Sequence, residues 1–189
     1  YSRTPMLLFL STSYTPSSAR VVLRARSTPR MADVELLESR LMLTVTHIFN
    51  YDTNELAVYG EGHDSIIVDT NVFGSVTLNG NSTFIPSYWV EGLDVLGGSG
   101  PNYIDISAVT RSSFPSLFDG FLGINIYGQA GNDSIVGSPL NDGILGGSGN
   151  DLIFAGDGID SIWGEGGFDT IYGESGSDSI QGGTAGDSL

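Results

Sequence analysis

From Gly128 onward the chain repeats every nine residues, and this period constrains the fold more than any other feature. The units run 128–136, 137–145, 146–154, 155–163, 164–172, 173–181 and 182–189, the last one residue short. Position six is aspartate in all seven: Asp133, Asp142, Asp151, Asp160, Asp169, Asp178 and Asp187. Position eight is a large aliphatic in all seven: Ile135, Ile144, Ile153, Ile162, Ile171, Ile180 and Leu189. Six residues rich in Gly, Ser, Asn and Asp turn readily and cannot hold a strand. The three that follow, such as Ser161-Ile162-Trp163, are extended in character with the middle residue on one face. Each unit therefore reads as a tight turn plus a very short strand. Such a strand buries almost nothing alone, so the units must stack about 4.8 Å apart and join their aliphatics into one core. Two units make a coil, with a turn at each edge and a strand on each face.

Residues eighteen apart then share an edge. Asp133, Asp151, Asp169 and Asp187 form one column, and Asp142, Asp160 and Asp178 the other. Like charges about 5 Å apart repel by roughly 3 kcal/mol at an effective dielectric of 20. Such columns call for a cation between neighbours. Ca²⁺ takes 6–8 oxygens in irregular cages, which suits carboxylates mixed with main-chain carbonyls. Mg²⁺ demands stricter octahedral geometry, and Zn²⁺ would lack its preferred His and Cys ligands.

The unit resembles the Gly-Gly-x-Gly-x-Asp-x-aliphatic-x nonapeptide of RTX proteins, the hemolysin-type calcium-binding repeat. Its fullest match is Gly146-Gly147-Ser148-Gly149-Asn150-Asp151-Leu152-Ile153-Phe154. Weaker echoes are Gly97-Gly98-Ser99-Gly100-Pro101-Asn102-Tyr103-Ile104, with Asn102 in the aspartate place, and Gly60-Glu61-Gly62-His63-Asp64-Ser65-Ile66. The resemblance implies an all-β fold, a right-handed parallel β-roll or β-solenoid with several Ca²⁺ ions between turns of successive coils. It implies ligands from the position-six carboxylates and from turn carbonyls. Carried onto this chain, the turn positions are Gly128, Gly131, Gly146, Gly147, Gly149, Gly156, Gly158, Gly164, Gly166, Gly167, Gly173 and Gly176. Ser138-Pro139-Leu140 replaces glycine at positions two and four, so the Asp142 turn is expected to bind weakly. Ala155 and Ala185 are further departures.

Charge divides the chain. All seven basic residues are Arg, against 22 Asp and Glu, for a net charge of −15, and there is no Cys. Residues 1–40 carry six of the Arg and only three acids. A step this sharp marks a boundary near residue 43. We expect a disordered or processed Arg/Ser-rich segment over 1–43, a β-rich lead-in with degenerate repeats over 44–127, and the repeat module over 128–189. The chain opens on Tyr1, so either it is a fragment or Met31 is the true start. Leu37-Glu38-Ser39-Arg40-Leu41-Met42-Leu43 resembles a Leu-Glu-Pro-Arg-x-Leu-Leu segment of exported bacterial proteins, with Ser39 for Pro and Met42 for Leu. One amphipathic helical turn is the alternative reading. A lysine-free chain this acidic is a poor partner for nucleic acid. Without Cys, disulfide scaffolds, thiolate zinc sites and cysteine nucleophiles are excluded. No apolar run reaches the ~20 residues of a membrane span.

In the lead-in, short apolar runs and the turn dipeptide Asn79-Gly80 predict strands, read as further coils with longer turns. A separate small β-sandwich is the competing picture. Residues 111–119 are expected to form a loop inserted in one coil. Gly186-Asp187-Ser188-Leu189 spells an esterase signature, but it falls in phase with the repeat, so the repeat explains it. No Lys is available for a phosphate loop, and His63 sits at a turn where a solvated imidazole suffices. At position nine, Val136, Phe154 and Tyr172 should align on one face and Leu145 and Trp163 on the other, as cross-strand packing or as a docking face for a glycan or protein. The expected function is calcium binding by a non-enzymatic, secreted structural or interaction module. The alternative is an accessory piece of a secreted calcium-dependent protease, lipase, polysaccharide-modifying enzyme or toxin. Leu189 falls inside a strand, so either end-to-end self-association or a capping domain is expected.

Overall fold

A computed structural model describes residues 45–117 and 123–189. The 37–43 motif and the rest of 1–43 lie outside the described residues, as does the end of the expected 111–119 loop.

The fold is all-β. In the repeats, alternate units supply strands to two different sheets. Strands β9 (Ser134–Val136), β11 (Leu152–Phe154) and β14 (Thr170–Tyr172) pair in parallel in one sheet. Strands β10 (Asp142–Ser148), β13 (Ser161–Gly166) and β16 (Ser179–Thr184) do so in the other. Short strands β12 (Asp157–Gly158) and β15 (Ser175–Gly176) pair across one edge. Partners are eighteen residues apart throughout, as Ile144↔Ile162 and Ile153↔Ile171 show. The spacing is two nine-residue units, so the position-eight side chains of alternate units line up within each sheet. Ile135, Ile153 and Ile171 stack on one inner face, and Ile126, Ile144 and Ile162 on the other, all 1% exposed or less. Each fully buried side chain of this size contributes about 1.5–3 kcal/mol.

The lead-in continues the same two sheets. Strands β2 (Glu55–Tyr59), β6 (Gly92–Gly98) and β8 (Gly123–Ala130) carry parallel pairing up to β10, joining Val58, Val95, Ile126 and Ile144 in one row. Strands β3 (Ser65–Thr70) and β7 (Tyr103–Asp105) lead into β9 through Ile66, Ile104 and Ile135. The separate sandwich is thereby excluded.

The expectation that the whole lead-in is coiled needs correcting. Strand β1 (Thr46–Asn50) lies antiparallel to β2, and β3 is followed by antiparallel β4 (Ser75–Leu78) and β5 (Asn81–Pro86). The reversal at Asn79-Gly80 has a local cause: φ is +50° and +76° at these residues, the left-handed pair of a two-residue hairpin turn. Beyond a short 3₁₀ turn at Ser87–Trp89, β6 resumes parallel pairing. The second excursion, after β7, buries Val109, Phe114 and Leu117, and Ser116 Oγ ties it to the Tyr88 carbonyl at 2.6 Å.

Candidate metal centre

The turns place their aspartates by one repeated hydrogen bond. The main-chain N–H of five position-six residues donates to Oδ1 of the aspartate eighteen residues further on. Along one edge this runs from Asp133 to Asp151 at 2.8 Å, Asp151 to Asp169 at 2.9 Å, and Asp169 to Asp187 at 3.1 Å. Along the other, Asp142 donates to Asp160 at 2.8 Å and Asp160 to Asp178 at 3.0 Å. The seven aspartates therefore form two ladders, divided as the eighteen-residue spacing requires. Asp133, Asp142, Asp151, Asp160 and Asp169 are buried, while Asp178 and Asp187 are half-buried.

One oxygen of each carboxylate is thus occupied; the other is the informative one. Oδ2 of Asp133, Asp151, Asp160 and Asp169 is buried with no hydrogen-bond partner among the described residues. A buried acceptor left unsatisfied costs about 1–3 kcal/mol, and more when charged. These oxygens face others. A side chain added at Gly146 would meet Asp151 Oδ2 at 2.6 Å and the Gly164 carbonyl of the next coil at 3.0 Å. Gly128 has the same neighbours in Asp133 Oδ2 and the Gly146 carbonyl, and Gly164 in Asp169 Oδ2 and the Gly182 carbonyl. Carboxylate and carbonyl oxygens from two coils converge beside each of these glycines.

The electrostatics agree. Burial, reinforced by Asp133 and Asp169 on either side, pushes the Asp151 carboxyl up to about 6. Burial and the neighbouring Asp178 and Asp157 charges do the same for Asp160, to about 6. Asp142 rises to about 8, again by burial first and with Asp160 adding repulsion. Burial also raises Asp133, against the bonds from Asn102 that lower it. Such carboxylates need positive charge to stay ionised at neutral pH.

Among the described residues, no three His, Cys, Asp or Glu side chains come together. A cation held here would draw most of its oxygens from main-chain carbonyls. That donor set fits a hard, oxygen-seeking ion such as Ca²⁺. The turn glycines stack with the ladders: Gly131, Gly149 and Gly167 lie one above another, as do Gly158 and Gly176. Gly147 and Gly156 lie against the Gln129 and Ser138 carbonyls, and Gly173 beside Asp178 Oδ2. Gly166 stands looser, with Thr184 Oγ1 at 3.6 Å. His63 is exposed.

The family model of the RTX calcium-binding nonapeptide repeat (4 copies) matches at 125–144, 145–180 and 154–189. Residues 125–189 are RTX repeats. RTX nonapeptide repeats bind Ca²⁺, and the family is a structural module rather than a catalytic one. No curated protein and no solved structure matches the chain. Among the described residues, no helix is long and apolar enough to cross a membrane.

Two features of the RTX segment were not read from the sequence. Asn132, Asn141 and Asn150, at position five, form outer rungs: their Oδ1 atoms accept from Asn150, Ile159 and Phe168 N–H at 2.8–2.9 Å. Asparagine at position five of three consecutive units was the available signal. In the Asp142 turn, Ser138 donates its N–H to Oδ2 at 2.7 Å and its hydroxyl to Oδ1 at 2.9 Å. The glycine-to-serine change that marked this turn as a weak site thus has a second consequence, since Ser138 supplies donors to both carboxylate oxygens.

Proposed function

We propose that the chain is a calcium-stabilised structural or interaction module of an exported protein, with the 128–189 segment a right-handed parallel β-roll holding several Ca²⁺ ions between its turns. The ligands are the carboxylates of Asp133, Asp151, Asp160, Asp169, Asp178 and Asp187, with Asp142 a weak member, and carbonyls of the turn glycines. The observation that carries this reading is the set of buried Oδ2 atoms of Asp133, Asp151 and Asp169, partnerless among the described residues and beside carbonyls of the following coil; Oδ2 of Asp160 is likewise buried and partnerless. Parallel pairing at a constant eighteen-residue offset in both sheets supports the roll. Bound Ca²⁺ supplies the charge that keeps the columns ionised; the chain supplies spacing through the Oδ1 ladder and close approach through its turns. Extracellular calcium modules bind at about 10⁻⁴–10⁻³ M, and four carbonyl-rich sites of modest carboxylate count suit that range. The match to the RTX repeat supports a place outside the cell, since RTX repeat proteins are typically secreted by bacteria. The lead-in over 44–127 then serves as the base on which the roll stacks.

The test is circular dichroism of the full chain in EGTA and in several millimolar calcium. Calcium should raise the β-signal, with a midpoint in the range above. Identical spectra in both conditions, together with no heat of calcium binding, would refute the reading.

A further inference from the structure

The Oδ1 ladder does not begin at Asp133. Asn102 donates its main-chain N–H to Asp133 Oδ1 at 2.7 Å, and Asp64 donates to Asn102 Oδ1 at 3.0 Å. These partners are 31 and 38 residues apart rather than eighteen, because the lead-in coils carry the excursions described above. The backbone positions are nevertheless equivalent. A Cβ at Gly128 would meet Asp133 Oδ2 at 2.7 Å, and one at Gly97 would meet Asn102 Nδ2 at 2.9 Å and the Gly128 carbonyl at 2.6 Å.

The atom in that place is the difference. Asp64 N–H requires an acceptor, which fixes Oδ1 of the amide toward Asp64 and turns Nδ2 into the space between coils. There Nδ2 donates to the Gly100 carbonyl and, at 3.2 Å, to Asp133 Oδ1. Two N–H groups of the protein thus sit between oxygens of adjacent coils, where the later coils leave a carboxylate oxygen unpartnered. One coil earlier, Asp64 Oδ2 accepts N–H bonds from Glu61 and Gly62 of its own turn. The other edge starts in a similar way: both Asp142 oxygens accept from Ser138, and the first partnerless oxygen is on Asp160. Leu117 and Arg111 of the second excursion line a cleft with Pro139, Leu140 and Asn141 beside this turn.

We infer that the calcium array has a built-in upstream boundary, drawn by Asn102 on one edge and Ser138 on the other. Protein donors take the place of the cation at Asn102 and compete with it at Asp142. The coils of β2, β3, β6 and β7 fold without calcium, and they template the calcium-dependent coils that follow. This rests on the calcium reading of the RTX segment, and extends it upstream of the family match to Asn102 and the coils before it.

Hydrogen–deuterium exchange of the full chain tests it. In EGTA, amides of β2, β3, β6 and β7 should stay protected while those of β11, β13, β14 and β16 exchange freely; calcium should protect both sets. The variant Asn102→Asp removes the amide donors and leaves a carboxylate oxygen unpartnered. In EGTA its Tyr103 and Ile104 amides should exchange about tenfold faster or more, as loss of a buried hydrogen bond implies. Calcium should restore them, and ion counting should show an additional calcium bound relative to the parent chain. Equal exchange of both regions in EGTA, whether both protected or both open, would overturn the boundary while calcium-induced protection still upheld the calcium reading. An Asn102→Asp chain with unchanged exchange and unchanged ion count would overturn it too. No calcium effect on either region would instead refute the parent reading.

Discussion

The main-chain N–H of Asp151 donates to Asp169 Oδ1 at 2.9 Å, across eighteen residues and one full coil. The same Asp151 accepts from Asp133 through its own Oδ1, so one residue ties together three coils with a single carboxylate oxygen and one N–H. Its second oxygen is left over. The division of labour within the carboxylate separates what holds the coils in register from what needs a cation.

Substitutions at this residue should distinguish the two roles. Asp151→Ala removes both oxygens and strands the Asp133 N–H, an expected loss of about 1–3 kcal/mol together with weaker calcium binding. Asp151→Asn keeps an acceptor for Asp133 and removes the charge. It should respond less to calcium yet be more stable than the parent in EGTA. Asp187 is half-buried and, unlike Asp151, ties to one neighbouring aspartate rather than two among the described residues, so Asp187→Ala should do less damage than Asp151→Ala. Chemical denaturation with and without calcium, beside calorimetric titration, measures all three. Equal losses for both alanine variants would contradict the ladder.

The pH dependence has a definite sign. Asp151 and Asp160 are raised to about 6 in the fold and Asp142 to about 8, above the usual carboxylate value of about 3.9 in an unfolded chain. The folded state therefore binds protons more tightly than the unfolded one. Without calcium, the stability these groups contribute is fully present below about pH 4 and is lost as pH rises through 6 and then 8. Calcium competes with those protons, so its midpoint should move to higher concentration as pH falls from 8 to 5. Circular dichroism in EGTA across pH 3–8.5, and calcium titrations at fixed pH, check both halves.

Turn backbone should be intolerant where coils approach most closely. Gly149 holds φ at +131°, and a Cβ there would overlap the Gly131 carbonyl of the previous coil. Gly149→Ala should lower stability in calcium by about 1–3 kcal/mol from backbone strain, with the overlap adding to it. Gly62→Ala is the control: nothing lies within 4 Å of its Cβ position. Urea melts in calcium should show near-parent behaviour for Gly62→Ala alone.

On the outer surface, Phe154 and Tyr172 stack with centroids 4.9 Å apart and planes 9° from parallel. Their coupling should be about 0.5–1.5 kcal/mol beyond burial. A double-mutant cycle to leucine, read by thermal denaturation in calcium, measures it. Zero coupling would free this pair for a role other than packing.

The nine-residue period carried most of the RTX segment by itself. One aliphatic per unit is buried only by stacking, and a turn-plus-strand unit of nine residues reads as half a coil, so the two-sheet core, the split of the seven aspartates into two edges and the Phe154–Tyr172 alignment were legible before any coordinates. The resemblance then named the ion. The lead-in was less legible because its partners stand 31 and 38 residues apart, and no local pattern says which glycine turn lies over which. Hairpin chemistry at Asn79-Gly80 was visible, but not that the chain would return to parallel pairing at β6. The orientation of the Asn102 amide and the capture of Asp142 by Ser138 were decided only in the tertiary structure. Both depend on which donor lies across the gap between coils, and such a contact is set by stacking rather than by neighbours in sequence.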